Sequence, residues 1–356
     1  MSSAFPVVQD PCSEIGQLFM AGLPGKDLDE ETVKLVQNYN LGGIILFSRN
    51  INDPLQLAGL CRALQREAMS AHGKPLFLAV DQEGGRVARL KEPFTIFPGN
   101  AAISADRDCV KRAEEFGSIT SREMKMVGLN MDLAPVVDVQ RGQLEKHLQG
   151  RSFGENAEKV ALLGKTVIES LQRNGVMAVA KHFPGLGEAG VDPHFQLPII
   201  DARREELEKV SLVPFKAAID QKVAGIMTSH AVYPALDPEY PATLSQAILT
   251  RLLREAMSFE GLIITDDLEM GAIAGQGPVA EAALQAFDAG ADILLICKNQ
   301  EDVVEGIHLL RERLLNGRIS EKRVIASLER VKKIKGQFLA TEDTISPAAV
   351  ESYFKI

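Results

Sequence analysis

The sequence predicts an α/β protein built as a single (β/α)8 barrel, and two observations predict it. Eight short apolar runs recur along the 356 residues, and most of the gaps between them hold longer amphipathic stretches with readable helix starts. The runs are GQLFMAG from Gly16, GGIILFS from Gly42, PLFLAVDQ from Pro75, LNMDLAPVVDV from Leu129, VMAVAKHF from Val176, VAGIMTSH from Val223, GLIITDD from Gly261 and ADILLIC from Ala291. They are nearly continuous in Val, Ile, Leu, Met and Ala, as strands covered on both faces must be. Eight strands with helices between them, in a chain somewhat longer than the usual ~250 residues, fit a barrel with loop insertions. A doubly wound open sheet is the competing arrangement.

The helix starts are local. Asp53 followed by Pro54 opens the first clear one, because the Asp side chain caps free N–H groups and Pro suits the first turn. Further starts fall near Asp106, Asn156, Arg203, Ser245, Val279 and Asp302, and a last one at Ser320. No Pro/Gly/Ser-rich linker or charge block divides the chain, so residues 1–340 are assigned to one barrel and 341–356 to a tail packed on its outside.

Composition narrows the function. With 39 Lys and Arg against 48 Asp and Glu, the net charge of −9 argues against a nucleic-acid partner. A hydrophobic fraction of 46% with 24% charged residues is ordinary for a globular protein. No apolar run approaches the ~20 residues that cross a bilayer, and the N-terminus has neither a basic nor an apolar leader segment. A cytoplasmic chain is expected, unless an export signal preceded this numbering. Cys12, Cys61, Cys109 and Cys297 are scattered and read as free thiols. No heptad seam is visible, and a monomer is expected.

In a barrel, chemistry gathers where strands end. Here the strands run into Asp81-Gln82-Glu83-Gly84-Gly85-Arg86, Asp132, Lys181-His182, His230 and Asp266-Asp267. Any one of these is more simply a cap or loop anchor; five together point to a site. The segment KHFPGLGEAGVDPHFQLP, Lys181 to Pro198, has too many Gly and Pro for a helix and reads as a long loop over the mouth. Asp192 and His194 lie two apart in it, close enough for a carboxylate–imidazole pair that orients the ring and raises its basicity. The plainer alternative is a turn cap beside a surface histidine. In GLIITDDLEMGAI adjacent acids diverge, so one of Asp266 and Asp267 faces the mouth while Asp267 caps a helix beginning at Leu268.

The usual phosphate-loop, esterase-elbow and dinucleotide signatures are missing. A Schiff-base role for Lys181, or a metal site of His182, His194, His230 and Asp266, competes with acid–base and nucleophilic work by a carboxylate and an imidazole. Neither a His-x-His pair nor a helical His-x-x-x-His supplies first metal ligands, and no metal or cofactor is expected.

With these residues in view, the sequence resembles glycoside hydrolase family 3, in particular the single-domain bacterial exo-β-N-acetylglucosaminidases associated with peptidoglycan recycling. GGIILFSRNI, AVDQEGGRVARL, NMDLAPVVDV, GRSFGE, KHFPG, the Asp192–His194 pair, MTSHAVYPALDPEYPATLS and TDDLEMGAI occur in the family's order. The resemblance implies a retaining β-N-acetylhexosaminidase that removes terminal non-reducing β-linked N-acetylglucosamine from peptidoglycan fragments. Asp266 would be the nucleophile, His194 the general acid/base and Asp192 its partner. Asp81, Arg89, Arg151, Lys181 and His182 would hold the sugar hydroxyls. Gly185, Gly187 and Gly190 would be hinges of a mobile acid/base loop. Three departures stand out: Leu186-Gly187-Glu188 where the family usually has His-Gly-Asp, Pro193 where Ser is common, and Leu148-Gln149-Gly150 where Ile-Gly-Asp is frequent. Competing functions are a β-glucosidase or phosphorylase of the same family, or a sugar-binding barrel without turnover.

Overall fold

The computed structural model of the chain describes residues 10–142, 146, 148–339 and 345–356. Each of the eight apolar runs contains one strand of a parallel sheet. These are β1 (Phe19–Gly22), β2 (Gly43–Leu46), β3 (Phe77–Val80), β4 (Met131–Asp132), β5 (Met177–Phe183), β6 (Gly225–Thr228), β7 (Leu262–Ile264) and β8 (Leu294–Ile296). Their spatial order is β7-β6-β5-β4-β3-β2-β1-β8. A parallel bridge between Ile264 and Ile293 joins the two ends, so the sheet closes into the expected barrel and the open-sheet alternative falls away. Every strand residue is buried, because the interior is filled and helices cover the outside.

The covering helices alternate with the strands: α1 (Glu30–Tyr39), α2 (Pro54–His72), α3 (Cys109–Met126), α4 (Ala157–Arg173), α5 (Leu212–Asp220), α6 (Ala247–Ala256, π-helical), α7 (Val279–Ala289) and α8 (Gln300–Leu315). A ninth, α9 (Glu321–Phe338), follows without a strand. Asp53 caps α2 by accepting the N–H groups of Leu55 and Gln56, with Pro54 in the first turn. Asn156 caps α4 through the Lys159 N–H at 2.9 Å. One start differs from expectation. The stretch after Asp267 turns first and becomes helical at Gly271–Ala274, not at Leu268, because the Asp267 carboxylate is drawn to the N–H groups of Glu269 and Cys297.

The expected tail lies outside the described residues as far as 344. Beyond it, the helix Pro347–Phe354 buries Val350 and sets Phe354 edge-on against Phe94, with ring centroids 4.7 Å apart. All four cysteines are unpaired. Among the described residues no helix is long and apolar enough to cross a membrane.

The closing seam between β7 and β8 is held by one acid. Asp292 is fully buried and accepts the Ile263 N–H at 3.0 Å, Arg254 of α6 at 2.6 Å and Arg330 of α9 at 3.1 Å, and Ser327 of α9 donates to it as well. Arg323 stands 3.8 Å away. Burial lowers the Arg254 guanidinium to about 10, with Asp292 opposing that shift and the neighbouring arginines adding to it. Replacing Asp292 with Ala leaves these cations without their common counter-ion, a change that costs about 3–5 kcal/mol for a buried pair. Chemical denaturation should show a loss of that size, and a midpoint like that of the parent would mean the arginines are satisfied by carbonyl oxygens alone.

Candidate active site

Strand ends and the loops after them enclose a solvent-open cleft of about 630 Å³, lined by Asp81, Arg86, Val87, Arg89, Arg151, Lys181, His182, Leu186, Pro193, His194, Asp266 and Met270. Seven of the eight residues singled out from the sequence are thus brought together; the eighth, Asp192, supports one of them from behind.

The floor is an ion-paired cluster. Lys181 on β5 is buried and bonds Asp81 and Glu83 at 2.7 Å each. Arg151 grips Glu83 with two bonds of 2.8 Å, and Arg89 reaches Asp81 at 3.1 Å. Asp81 follows β3 directly, and Glu83 sits in a short hairpin of Gln82–Gly84 with Val87–Ala88. Gly84 and Gly85 make its turn at φ of 83° and 60°, values that a side chain would strain. Burial alone would raise both acids, but Lys181 and Arg89 hold Asp81 far below the ordinary carboxylate range, and Arg151 and Lys181 hold Glu83 at about 2. The same acids outweigh the burial of Lys181 and keep its pKa above the ordinary value. An ammonium so held is no Schiff-base nucleophile.

Asp266 follows β7 and faces the cleft, and Asp267 turns away to the end of β8, as divergence of neighbours requires. Burial opposes ionisation of Asp266, yet its carboxyl lies below the usual range owing to His230, His182, the Asp267 N–H at 2.8 Å and Lys181. Burial in turn lowers the His230 imidazole. Asp267 is raised to about 6, chiefly by burial.

Two carboxylate–imidazole pairs stand over this floor. His182 Nδ1 is 2.7 Å from Asp138, whose other oxygen accepts the N–H groups of His182 and Leu186. His194 Nδ1 is 2.7 Å from Asp192 Oδ1, which also takes the His194 N–H at 2.9 Å. A carboxylate partner fixes the proton on Nδ1 and turns Nε2 outward. Asp192 also caps a turn, its carbonyl accepting from Phe195 and Gln196, so the turn cap and the carboxylate–imidazole pair coexist.

Other expectations need correction. Asp132 and His230, counted among the charged strand ends, do not line the cleft. Asp132 is fully buried and accepts the Gln82 N–H, and that burial raises its carboxyl well above the ordinary value. His230 is also buried, with both ring nitrogens engaged by Thr243 and the Asp267 carbonyl; it shapes the Asp266–Asp267 turn. Gly185 and Gly187 are close-packing positions: a Cβ would lie 2.8 Å from the Ser211 Cβ in the first case and 1.8 Å from the Val139 carbonyl oxygen in the second. Only Gly190 is open. Glu83 and Asp138, central here, were passed over in the sequence because their partners lie 68 and 44 residues away.

Glu83 gives a pH test. A carboxyl lowered in the fold adds stability that is complete above its unfolded value near 4.5 and is lost as pH falls through about 2. Glu83→Gln should therefore be less stable than the parent at neutral pH and converge on it in strong acid. Urea midpoints at stepped pH read this out, and parallel curves would show that Glu83 is not ionised in the fold.

The chain has relatives among known proteins. Residues 12–334 match the model of the glycosyl hydrolase family 3 N-terminal domain. A beta-hexosaminidase of Alkalilimnicola ehrlichii is 37% identical over 294 residues, 81% of this chain and 82% of that protein. Beta-hexosaminidase A of Pseudoalteromonas piscicida is 34% identical over 330 residues, 86% of this chain but 55% of its own longer length. The structure of a family 3 β-N-acetylglucosaminidase from Paenibacillus sp. str. FPU-7 superimposes with a TM-score of 0.89 at 35% identity, covering 96% of this chain and 67% of that one. The chain belongs to glycosyl hydrolase family 3.

Proposed function

We propose that this chain is a retaining β-N-acetylhexosaminidase that removes terminal non-reducing β-linked N-acetylglucosamine. One observation carries the reading: an ionised Asp266 and a carboxylate-paired His194 line the same cleft, over a floor of fixed hydrogen-bond donors and acceptors. The names of the relatives support the sugar.

In the first step an Asp266 oxygen attacks the anomeric carbon while protonated His194 donates from Nε2 to the departing glycosidic oxygen. The bond to the aglycone breaks and a glycosyl ester on Asp266 forms. In the second step neutral His194 takes a proton from water, the water oxygen attacks the anomeric carbon and Asp266 departs with retained configuration. Most retaining glycosidases give the proton-transfer role to a second carboxyl group. An imidazole does the same work when an acid steadies its charged form, as in a Ser-His-Asp triad. Asp192 has that position. Asp81, Arg89, Arg151, Lys181 and His182 hold the sugar hydroxyls, and bonds that tighten as the ring flattens add to rate as well as binding.

Peptidoglycan fragments are the natural substrates in this reading, cleaved by a monomer in the cytoplasm; the support is the resemblance to the recycling enzymes. Release of N-acetylglucosamine from purified muropeptides, and activity confined to the soluble cell fraction, test that part.

Asp266→Ala should abolish turnover of an aryl β-N-acetylglucosaminide in a protein that melts like the parent; near-normal turnover removes Asp266 from the mechanism. His194→Ala should slow a glycoside with a poor leaving group by about 10²–10⁴-fold and an activated one far less. NMR of the first-formed sugar should show the β-anomer, and an α-anomer would overturn the two-step scheme. In phosphate buffer the product should be the free sugar; a sugar phosphate would make the enzyme a phosphorylase.

A further inference from the structure

The segment that carries His194 is fastened firmly at both ends. Upstream, Gly187 packs on Val139, the Arg141 N–H donates to the Gly187 carbonyl at 2.9 Å, and Arg141 pairs with Glu188 at 2.7 Å. Downstream, Ile200 and Val232 are joined by strand bonds, the Ile200 N–H to Val232 and the Val232 N–H to Pro198, each 2.9 Å. Between these anchors lies a stretch from Gly190 to Gln196 in which His194, Phe195 and Gln196 are exposed. It is clasped to the barrel by two backbone bonds: the Gly271 N–H donates to the His194 carbonyl at 3.0 Å and the Ala272 N–H to the Pro193 carbonyl at 3.1 Å. Residue 271 must be small for this. A Cβ there would lie 2.8 Å from the His194 carbonyl oxygen and 3.1 Å from both Cα and the carbonyl oxygen of Phe195.

We propose that Gly271 is a positioning residue of the reaction, the latch that sets the imidazole of His194 over the cleft. Four residues separate it from Asp266 in one strand-end segment, so a single segment places the nucleophile and seats the proton donor. The contact is to backbone carbonyls, so it fixes the position of the ring while leaving the Asp192 bond to fix its orientation. The inference rests on His194 as acid/base.

The test compares Gly271→Ala with the parent on two aryl β-N-acetylglucosaminides, a dinitrophenyl glycoside that needs no proton and a methoxyphenyl glycoside that does. With the donor displaced, kcat/KM for the methoxyphenyl substrate should fall by about 10²-fold, the lower end of general-acid contributions, while the dinitrophenyl substrate is nearly unaffected. The alkaline limb of the pH profile should shrink with it. Ala272→Pro removes one donor without adding a Cβ at 271, and should shift both readouts the same way by less; it decides the matter if Gly271→Ala fails to fold. Equal losses on both substrates, or no loss on either, in a protein with parental melting would overturn the latch. His194→Ala in the same panel separates the two ideas: failure of that variant to discriminate the substrates removes the acid/base assignment, whereas discrimination by it alone removes only the latch.

Discussion

The site depends on one buried positive charge. The Lys181 ammonium sits within 2.7 Å of Asp81 and Glu83, which reach it from the end of β3, and Arg151 and Arg89 complete the network from other loops. Two buried carboxylates in one cluster stay ionised because Lys181, which touches both, acts together with Arg151 on Glu83 and Arg89 on Asp81. With it they become fixed acceptors, and the three cations become fixed donors. A polar surface set in advance in this way spends little on reorganisation when a sugar arrives. The ammonium also supports the anionic form of Asp266, so in the proposed reaction sugar recognition and nucleophile charge draw on the same ion.

Above that floor one chemical device appears twice with different mechanical settings. Asp138 and His182 are both buried, and Asp138 also holds the amides that open the following loop. Asp192 and His194 form the same pair on an exposed stretch of that loop. A ring that positions a hydroxyl gains from immobility. A ring that must approach a leaving oxygen and then give way to water needs a support that can shift. The buried pair belongs to the wall and the exposed pair to the rim, which suits the two roles proposed for them.

Much of the barrel was legible because a strand buried on both faces must be apolar throughout, and that requirement writes itself into consecutive residues. Cap signals at Asp53 and Asn156 were equally local. Strand ends told less. Position alone did not separate Asp266, which faces the cleft, from Asp132, which is buried away from it, because both follow or end an apolar run. The glycines misled for a related reason. Gly187 and Gly190 look alike in sequence, and only their neighbours show that one is wedged against Val139 and the other stands in open space. Glu83 and Asp138 act through partners far away in the chain, a kind of information that spacing does not carry.

The departures from the family pattern at Leu186, Glu188 and Pro193 fall where the loop can absorb them. Leu186 keeps its place through its backbone, whose N–H is bonded to Asp138 at 2.7 Å, so a change of side chain alters the lining of the cleft and not the path of the chain. Glu188 still has a cation to hold, Arg141, and that pair lies in the half of the loop that close packing already immobilises. Pro193 lacks an N–H, but the latch to Ala272 uses only its carbonyl, and its fixed φ narrows the conformations open to the His194 turn. The substitution therefore removes a donor that the docked loop does not need and stiffens the link between Asp192 and His194. What the altered segment changes is the apolar character of one wall and the freedom of the turn that carries His194.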